Sequence, residues 1–284
     1  MRQQTFLNGK ATLYLVATPI GNLDEFNNRA VEILKSVAII GCEDTRTSKV
    51  LLDKFGIKTP VASYHKFNEN EAIEKYLAYL KDGKDIALIS DAGYPLVSDP
   101  GEVLTKKVVE SGYNVSVVSG PCAFLNALVG SGFPVSNFLF FGFLNSKRSA
   151  RKKQLEKLKD LEQLLIFYEA PHRIKETLED ILSVLGNRRI VLARELTKKF
   201  EEYIRDEVKN VIEIADELKG EMVLIVEGKA AETIEVDEGT ILADAKKMLK
   251  VKISKKDVVT FLCNKYKLKK NYVYSLVCKE GQNK

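Results

Sequence analysis

The sequence predicts an α/β protein with two domains built on β-sheets, followed by a small helical domain. Short runs of β-branched and aliphatic residues alternate with amphipathic stretches from about residue 13 to residue 228. A cluster of Gly, Ser and Pro at residues 130–134 interrupts this alternation, and a polar, acidic stretch at 230–240 ends it. Because one hydrophobic core rarely serves so long a chain, we place the domains at residues 1–129, 130–229 and 236–284.

The first domain contains five predicted strands separated by helices. Nearly continuous apolar strands that alternate with helices are typical of a parallel sheet covered on both faces. The strands are Leu13–Thr18, Val37–Ile40, Val61–Tyr64, Ile86–Ser90 and Val115–Ser119. The helices are Arg29–Ser36, Arg46–Phe55, Glu69–Lys81, Gly101–Ser111 and Cys122–Leu128.

The sequence of the second domain predicts a mixed sheet, because several of its strands follow one another closely. The strands are Phe138–Phe141, Leu164–Tyr168, Ile190–Arg194, Glu201–Asp206 and Met222–Glu227. The helices are Arg148–Lys159, His172–Leu185 and Val208–Leu218. A cleft between two such domains is a common place for a ligand.

The C-terminal region has three segments with helical periodicity, Ile241–Leu249, Lys255–Tyr266 and Lys270–Cys278. Ser254 is the predicted N-cap of the second helix. We read residues 230–240 as a linker. The three helices resemble a helix-turn-helix or a small helical appendage.

Composition excludes several classes of protein. No segment reaches the roughly 18 apolar residues of a membrane-spanning helix, and residues 1–10 lack the apolar core of a signal peptide. We therefore expect a cytoplasmic protein without a membrane partner. The four cysteines are scattered and the chain has two histidines, so we expect no metal site.

Positive charge is concentrated in two places. Residues 250–284 carry ten Lys against one Asp and one Glu, a net charge of +8 within a chain of net charge +5. A second basic cluster lies at residues 147–159. Such clusters suit a phosphate backbone, although a solvated Lys-rich surface would have the same composition.

Three loops follow predicted strands of the first domain, at residues 18–23, 90–101 and 119–123. Ligands of parallel sheets bind outside the carboxyl ends of the strands, where these loops must lie. Gly93 and Gly101 permit close approach of the backbone, and the Asp91 carboxylate can accept hydrogen bonds from a ligand. Asp99 or Ser98 can cap the helix that follows. The loops together predict a ligand site.

Seven sequence motifs resemble those of a known protein family. They are TPIGNL (18–23), EDTR (43–46), SDAGxPxxSDPG (90–101), SGPxA (119–123), YEAPHR (168–173), RELTK (194–198) and GEMVLIVEG (220–228). In this order they resemble the RsmI family of ribosomal RNA small-subunit 2′-O-methyltransferases, within the tetrapyrrole-methylase superfamily. The likeness runs from about residue 13 to residue 228, and Tyr94 and Cys122 stand where Thr and Ser are expected.

The resemblance implies the two-domain tetrapyrrole-methylase fold, that of class III methyltransferases that use S-adenosylmethionine. It implies a homodimer with S-adenosylmethionine as cofactor, and a cytidine ribose in small-subunit (16S) ribosomal RNA, free or in the 30S subunit, as substrate. The cofactor-binding residues that it implies are Pro19, Asp91, Ala92, Gly93, Val97, Ser119, Gly120, Pro121, Ala123, Phe143, Tyr168, Leu196 and Glu221. Because the sulfonium charge disappears during methyl transfer, we expect a half-apolar pocket rather than strongly acidic walls.

A weakly acidic ribose hydroxyl would be helped by a base, and the candidates are Asp44, His65 and Glu169. Asp44 has the alternative role of a helix N-cap, and His65 the alternative of a structural histidine. The candidates for contacts with RNA are Arg46, Arg148, Arg151, Lys152, Arg173, Arg194 and Lys198. Arg173 and Arg194 have ion pairs within the protein as alternative roles.

Three functions therefore stay open at this point. The first is an RNA methyltransferase, and the second is a methyltransferase acting on a small tetrapyrrole, which shares the scaffold. The third is a non-catalytic RNA-binding or ribosome-assembly factor. The basic clusters favour the first over the second, and the three ligand-shaped loops disfavour the third.

Overall fold

The computed structural model describes residues 2–65, 69–230, 236–266 and 268–279. Contacts divide the chain into two compact units, Met1–Lys229 and Ala230–Lys284. The first unit contains two five-stranded sheets, and the described residues of the second unit form three helices. Within these described residues, no helix is long and apolar enough to cross a membrane. The division of the first unit near residue 130 stays a prediction.

The first sheet is entirely parallel, as predicted, and its strand order is β3-β2-β4-β1-β5. Its strands are β1 (Thr12–Val16), β2 (Ile40–Cys42), β3 (Val61–Ser63), β4 (Ile86–Ile89) and β5 (Asn114–Val118). Two clusters of buried apolar side chains cover the sheet, one including Leu34 and Ile89 and the other including Leu13 and Leu104. The carboxyl ends of β1, β4 and β5 therefore meet at one edge.

Five helices connect or follow these strands. They are α1 (Asn28–Ser36), α2 (Thr45–Lys54), α3 (Glu69–Lys81), α4 (Glu102–Glu110) and α5 (Ala123–Gly130). The side chain of Asn27 accepts a hydrogen bond from the Ala30 N–H and caps α1. Asp44 caps α2 in the same way, through the Arg46 N–H.

Strand β2 lies about two residues later than the sequence predicts, at Ile40–Cys42 instead of Val37–Ile40. The predicted strand ends before Gly41, and glycine is depleted in strands. The structure needs glycine there, since a Cβ on Gly41 would lie 2.8 Å from the Tyr76 hydroxyl oxygen. Close packing of α3 on the sheet therefore overrides the local preference.

The second sheet is mixed, as predicted, with the order β6-β7-β10-β8-β9. The pair β6·β7 is parallel, and the pairs β7·β10, β10·β8 and β8·β9 are antiparallel. The strands are β6 (Phe138–Phe143), β7 (Leu164–Glu169), β8 (Arg189–Arg194), β9 (Glu202–Glu207) and β10 (Met222–Val226). The helices are α6 (Arg148–Leu158), α7 (Ile174–Leu185) and α8 (Val208–Ile214), with a 3₁₀ turn at Ala215–Glu217.

The second unit consists of α9 (Glu238–Lys250), α10 (Lys255–Tyr266) and α11 (Lys270–Lys279), which pack around a core of their own. The predicted linker at 230–240 is too long, because Asp237 caps α9 through the Thr240 N–H at 2.9 Å and residues 238–240 are helical. Residues 231–235 of that linker lie outside the described residues. Ser254 accepts a hydrogen bond from the Asp257 N–H at 3.2 Å, which confirms it as the cap of α10.

Candidate active site

A cavity of about 460 Å³ opens at the carboxyl ends of the first sheet and is closed on its other side by the second sheet. Loops of the first sheet contribute Ile20, Glu43, residues 91–94 and 97–99, Cys122 and Ala123. The second sheet contributes Phe143, residues 168–171, Leu196 and residues 221–223. Its size lies within the range of small-molecule and cofactor sites.

The loops after β1 and β4 are joined through their backbones. The Thr18 N–H donates to the Gly93 carbonyl at 2.9 Å, and the Gly93 N–H donates to the Thr18 carbonyl at 3.1 Å. The Thr18 hydroxyl donates to the Ser90 carbonyl at 3.0 Å, and the Ser90 hydroxyl donates to the Gly93 carbonyl at 2.9 Å. These buried bonds hold one rim of the cavity in a fixed geometry.

The loop after β4 also contains strained backbone. Leu96 and Ser98 have φ values of +71° and +70°. Glu195 and Thr197, in the RELTK motif, have φ values of +51° and +66°. Non-glycine residues adopt this region at a cost of about 1–3 kcal/mol each and cluster at ligand sites. Both segments contribute residues to the cavity, so the strain is consistent with a binding site.

Lys198 explains the glycine of the TPIGNL loop. A Cβ on Gly21, whose φ is +146°, would lie 2.5 Å from the Lys198 Cγ, so the lysine stem lies directly over this residue. Its Nζ reaches Glu195 at 3.0 Å and Glu221 at 2.8 Å. Burial alone would lower the pKa of Lys198, but the bonds to Glu221 and Glu195 outweigh it and the pKa is raised. Lys198 therefore holds a cavity residue, Glu221, and its charge is already paired.

The cavity is more acidic than the sequence suggested. Its described lining contains the carboxyl groups of Glu43, Asp91, Asp99, Glu169 and Glu221 and no Lys, Arg or His. Burial, reinforced by Glu43 and Asp91, raises the pKa of Asp99 to about 6. Burial is also the main reason why the pKa of Asp91 is raised. The expected half-apolar character is present, since Ile20, Leu196 and Val223 line the cavity, but the expectation of walls that are not strongly acidic was wrong. The site favours a cationic ligand.

Replacement of Asp99 by Asn should stabilise the protein in a pH-dependent way. Folding raises the pKa of Asp99, so the native state binds this proton more tightly than the unfolded state does. The stabilisation from the bound proton is complete below the unfolded pKa and is lost as the pH rises towards about 6. Above that pH the neutral Asn avoids a confined charge, and partial exposure limits the gain to a Tm increase of about 1–3 °C. Thermal unfolding at about pH 8 and about pH 4 tests this expectation. An equal change in Tm at both pH values would contradict it.

Glu169 lies in the lining but is fully engaged within the protein. Its Oε1 accepts a hydrogen bond from the Ala170 N–H at 2.9 Å and lies 3.5 Å from the Arg173 Nε, and its Oε2 accepts from the Thr177 hydroxyl at 2.6 Å. A carboxylate with these partners fixes the turn between β7 and α7. This geometry favours a structural role over that of the predicted base.

The other two predicted bases, Asp44 and His65, lie outside the described lining. Asp44 is the cap of α2, the alternative role considered for it, and its carboxylate also pairs with the Arg46 side chain. The side-chain hydrogen bond from Arg46 lowers the pKa of Asp44. Its neighbour Glu43, which the prediction passed over, faces the cavity instead.

Most of the predicted cofactor residues are brought together around this cavity. Asp91, Ala92, Gly93, Val97, Ala123, Phe143, Tyr168, Leu196 and Glu221 all line it. Pro19, Ser119, Gly120 and Pro121 lie in the adjoining loops and are not part of the lining.

Asp99 was missed as a site residue because its position before a helix favoured a capping role. The N-cap of α4 is Gly101, which uses no side-chain hydrogen bond, so the Asp99 carboxyl is free of that role. The prediction also missed Ala170 and Pro171, which follow β7, and Met222 and Val223 of β10, although all four lie within the motifs at 168–173 and 220–228.

The candidate RNA-binding residues differ widely in exposure. Arg151 is completely buried and bonds to Asp180 through Nε at 2.8 Å, so its burial does not fit the predicted contact with RNA. Arg148, whose side chain is largely exposed, and Lys152 also face Asp180, at 2.9 and 3.6 Å.

Ion pairs within the protein, the alternative considered for Arg173 and Arg194, are present for both. Arg173 donates to the Leu144 carbonyl at 2.9 Å and lies beside Glu169. Arg194 pairs with Glu202. Arg46 remains highly exposed while it pairs with Asp44. Each of these three arginines, and Lys198 as well, is thus already paired within the protein. Their geometry alone does not assign any of the four to a ligand.

Comparison with known proteins identifies the family of this chain. The family model of the Tetrapyrrole (Corrin/Porphyrin) Methylases matches residues 12–212. Ribosomal RNA small subunit methyltransferase I of Bacillus subtilis (strain 168) is 46% identical over 243 residues, which covers 84% of this chain and 83% of the relative. The proteins of the same name from Haemophilus influenzae and Escherichia coli O157:H7 are 43% and 40% identical and cover 92% and 96% of this chain and 94% and 96% of their own lengths.

Solved structures share the fold at low sequence identity. Uroporphyrin-III-C-methyltransferase from Thermus thermophilus is 17% identical, with a TM-score of 0.55 over 78% of this chain and 95% of that one. The cobalt precorrin-4 methyltransferase CbiF is 14% identical, with a TM-score of 0.57 over 76% and 94%. The chain therefore belongs to the tetrapyrrole methylases and, within them, to the ribosomal RNA small subunit methyltransferase I family.

Proposed function

We propose that the protein transfers a methyl group from S-adenosylmethionine to the 2′-hydroxyl of a cytidine ribose in small-subunit ribosomal RNA. The observation that carries this proposal is the acidic and partly apolar cavity at the strand ends, in a chain whose relatives are named for small-subunit rRNA methylation. A cytoplasmic homodimer acting on the 30S subunit or its RNA is part of the proposal.

The residues of the cavity fit S-adenosylmethionine. Glu43, Asp91 and Asp99 supply negative charge for a ligand that carries ammonium and sulfonium groups. Ile20, Leu196, Val223 and the ring of Tyr168 supply apolar surface suited to an adenine ring. When bound, this cofactor supplies an electrophilic methyl group.

The chain itself orients the reactants and holds a proton. The Thr18–Gly93 backbone pair fixes the rim of the cavity, which favours a reactive geometry without reorganisation. Because burial and the neighbouring carboxylates place the pKa of Asp99 at about 6, its carboxylate can take up the proton of a ribose hydroxyl near neutral pH. We propose Asp99 for this role in place of Glu169, whose oxygens are already engaged.

The activity can be tested with purified protein and S-adenosylmethionine carrying a labelled methyl group. We expect label in the RNA of 30S subunits that lack this modification, in a nucleotide whose 3′ phosphodiester resists alkali, since alkaline cleavage needs a free 2′-hydroxyl. The Asp91→Ala variant serves as the impaired control. Label in a porphyrin precursor and none in 30S subunits would favour a small-molecule enzyme, and binding of RNA without label in either would favour an assembly factor.

The second unit, Ala230–Lys284, is proposed to contact RNA. Removal of residues 236–284 should weaken RNA binding while cofactor affinity is retained, because the cavity lies wholly within the first unit. A matched variant keeps the fold and replaces the exposed Lys255, Lys256, Lys269 and Lys270 by Gln. Loss of phosphate contacts should lower RNA affinity by at least about tenfold and reduce its salt dependence. Filter binding at several salt concentrations measures both, and an equal loss of cofactor affinity would contradict this division.

A further inference from the structure

Tyr94 connects two of the loops that form the cavity. It lies in the middle of the loop after β4, and its side chain is part of the cavity wall. Its hydroxyl oxygen accepts a hydrogen bond from the backbone N–H of Gly120, in the loop after β5, at 3.0 Å. A side chain of one loop therefore holds the backbone of the other.

The position of Gly120 leaves little room for a replacement of this bond. A Cβ on Gly120 would lie 3.0 Å from the Ala17 Cβ and 3.3 Å from the Ala17 carbonyl oxygen, so its backbone packs closely on the end of β1. A backbone N–H that loses its partner in such a place costs free energy. The neighbouring Ser119 carbonyl is also held, by the Asn27 side-chain amide at 2.6 Å. Two side chains thus fix consecutive residues of this loop.

The loop held in this way leads directly to cavity residues. Cys122 and Ala123 line the cavity, and Ala123 begins α5. The loops after β1 and β4 are already joined through the Thr18–Gly93 pair. The Tyr94 hydroxyl extends this connection to the loop after β5, so the three strand ends form one cradle.

We infer that Tyr94 is a positioning residue for the cofactor: its hydroxyl fixes Gly120 and thereby holds Cys122 and Ala123 in the geometry that binds S-adenosylmethionine. The inference rests on the proposed function.

The substitution Tyr94→Phe tests the inference, because it keeps the ring in the cavity wall and removes only the hydroxyl. We expect the Kd of S-adenosylhomocysteine, measured by calorimetry with the full chain, to rise about three- to tenfold, as loss of one hydrogen bond allows. The KM for S-adenosylmethionine should rise by the same factor, while kcat stays within about twofold. Hydrogen exchange at the Gly120 amide should become faster, which links the effect to this bond.

Tyr113→Phe is the matched control. Tyr113 packs on the first-sheet core at the opposite end of β5, and the same change there should leave the Kd and the exchange of Gly120 as in the wild type. An unchanged Kd in Tyr94→Phe, or a fall in kcat with an unchanged KM, would overturn the inference. Failure of the wild type to bind S-adenosylhomocysteine would overturn the proposed function itself. The wild-type titration therefore separates this outcome from a failure of the inference about Tyr94.

Discussion

Replacement of Asp91 by alanine is expected to raise the dissociation constant of S-adenosylmethionine about ten- to hundredfold, as loss of a charged hydrogen-bond partner does. Asp91 is the second residue after β4 and lines the cavity. Burial raises the pKa of Asp91, because it disfavours the charged carboxylate. A cationic ligand would offset this unfavourable free energy. The variant should therefore lose affinity for the ligand without losing stability.

Calorimetric titration with S-adenosylmethionine and with S-adenosylhomocysteine measures the effect. Asp53→Ala, an exposed carboxylate on α2 in the same unit, is the control for a simple loss of negative charge. We expect its titration to match that of the wild type. If Asp91→Ala also titrates like the wild type, the carboxylate has no part in the site, and the position of the ligand within the cavity has to be assigned anew.

The sequence predicts the part of the site that depends on local order. Parallel strands place their carboxyl ends at one edge, so Asp91, Ala92 and Ala123, which follow β4 and β5, could be assigned to the cavity before the structure was known. Glu43 and Asp99 could not be assigned in this way. Asp99 was considered as a cap of the following helix, and only the structure shows that Gly101 occupies that position. Glu43 precedes Asp44, the cap of α2, and no sequence signal directs its side chain to the cavity.

The acidity of the cavity is likewise a property of three-dimensional proximity. Glu43 and Asp99 are far apart in the chain, and each is unremarkable by itself. Both line the same cavity, so folding brings them near each other, and Glu43 contributes to the raised pKa of Asp99. The individual sequence motifs contain no signal that these two carboxyl groups lie close together in the folded protein.

Arg151 illustrates a signal that was present and was not used. In α6 the buried residues are Arg151, Leu155 and Leu158, which follow one another at intervals of four and three and therefore share one face of the helix. The run of basic residues around it favoured an exposed, RNA-binding reading of the whole segment. Helical spacing instead places this one arginine with the apolar residues, towards the core.

Replacement of Asp180 by alanine is expected to be the most destabilising of the changes considered for this chain. Asp180 and Arg151 are both fully buried, and the Asp180 Oδ2 lies 2.8 Å from both Nε and Nη2 of Arg151. Without the carboxylate, the buried guanidinium keeps Glu176 at 3.3 Å, but that side chain is two-thirds exposed. Loss of one partner of a buried ion pair costs about 3–5 kcal/mol.

For a unit of this size, such a loss should lower the Tm by roughly 6–20 °C, which differential scanning calorimetry measures. Arg148→Ala breaks an ion pair with the same carboxylate from a largely exposed side chain, and should cost no more than about 1 kcal/mol. The double variant Arg151→Met, Asp180→Leu removes both buried charges together, and should recover most of the stability because no buried charge is left unpaired. If the double variant were no more stable than Asp180→Ala, the cost would come from lost packing rather than from the unpaired arginine.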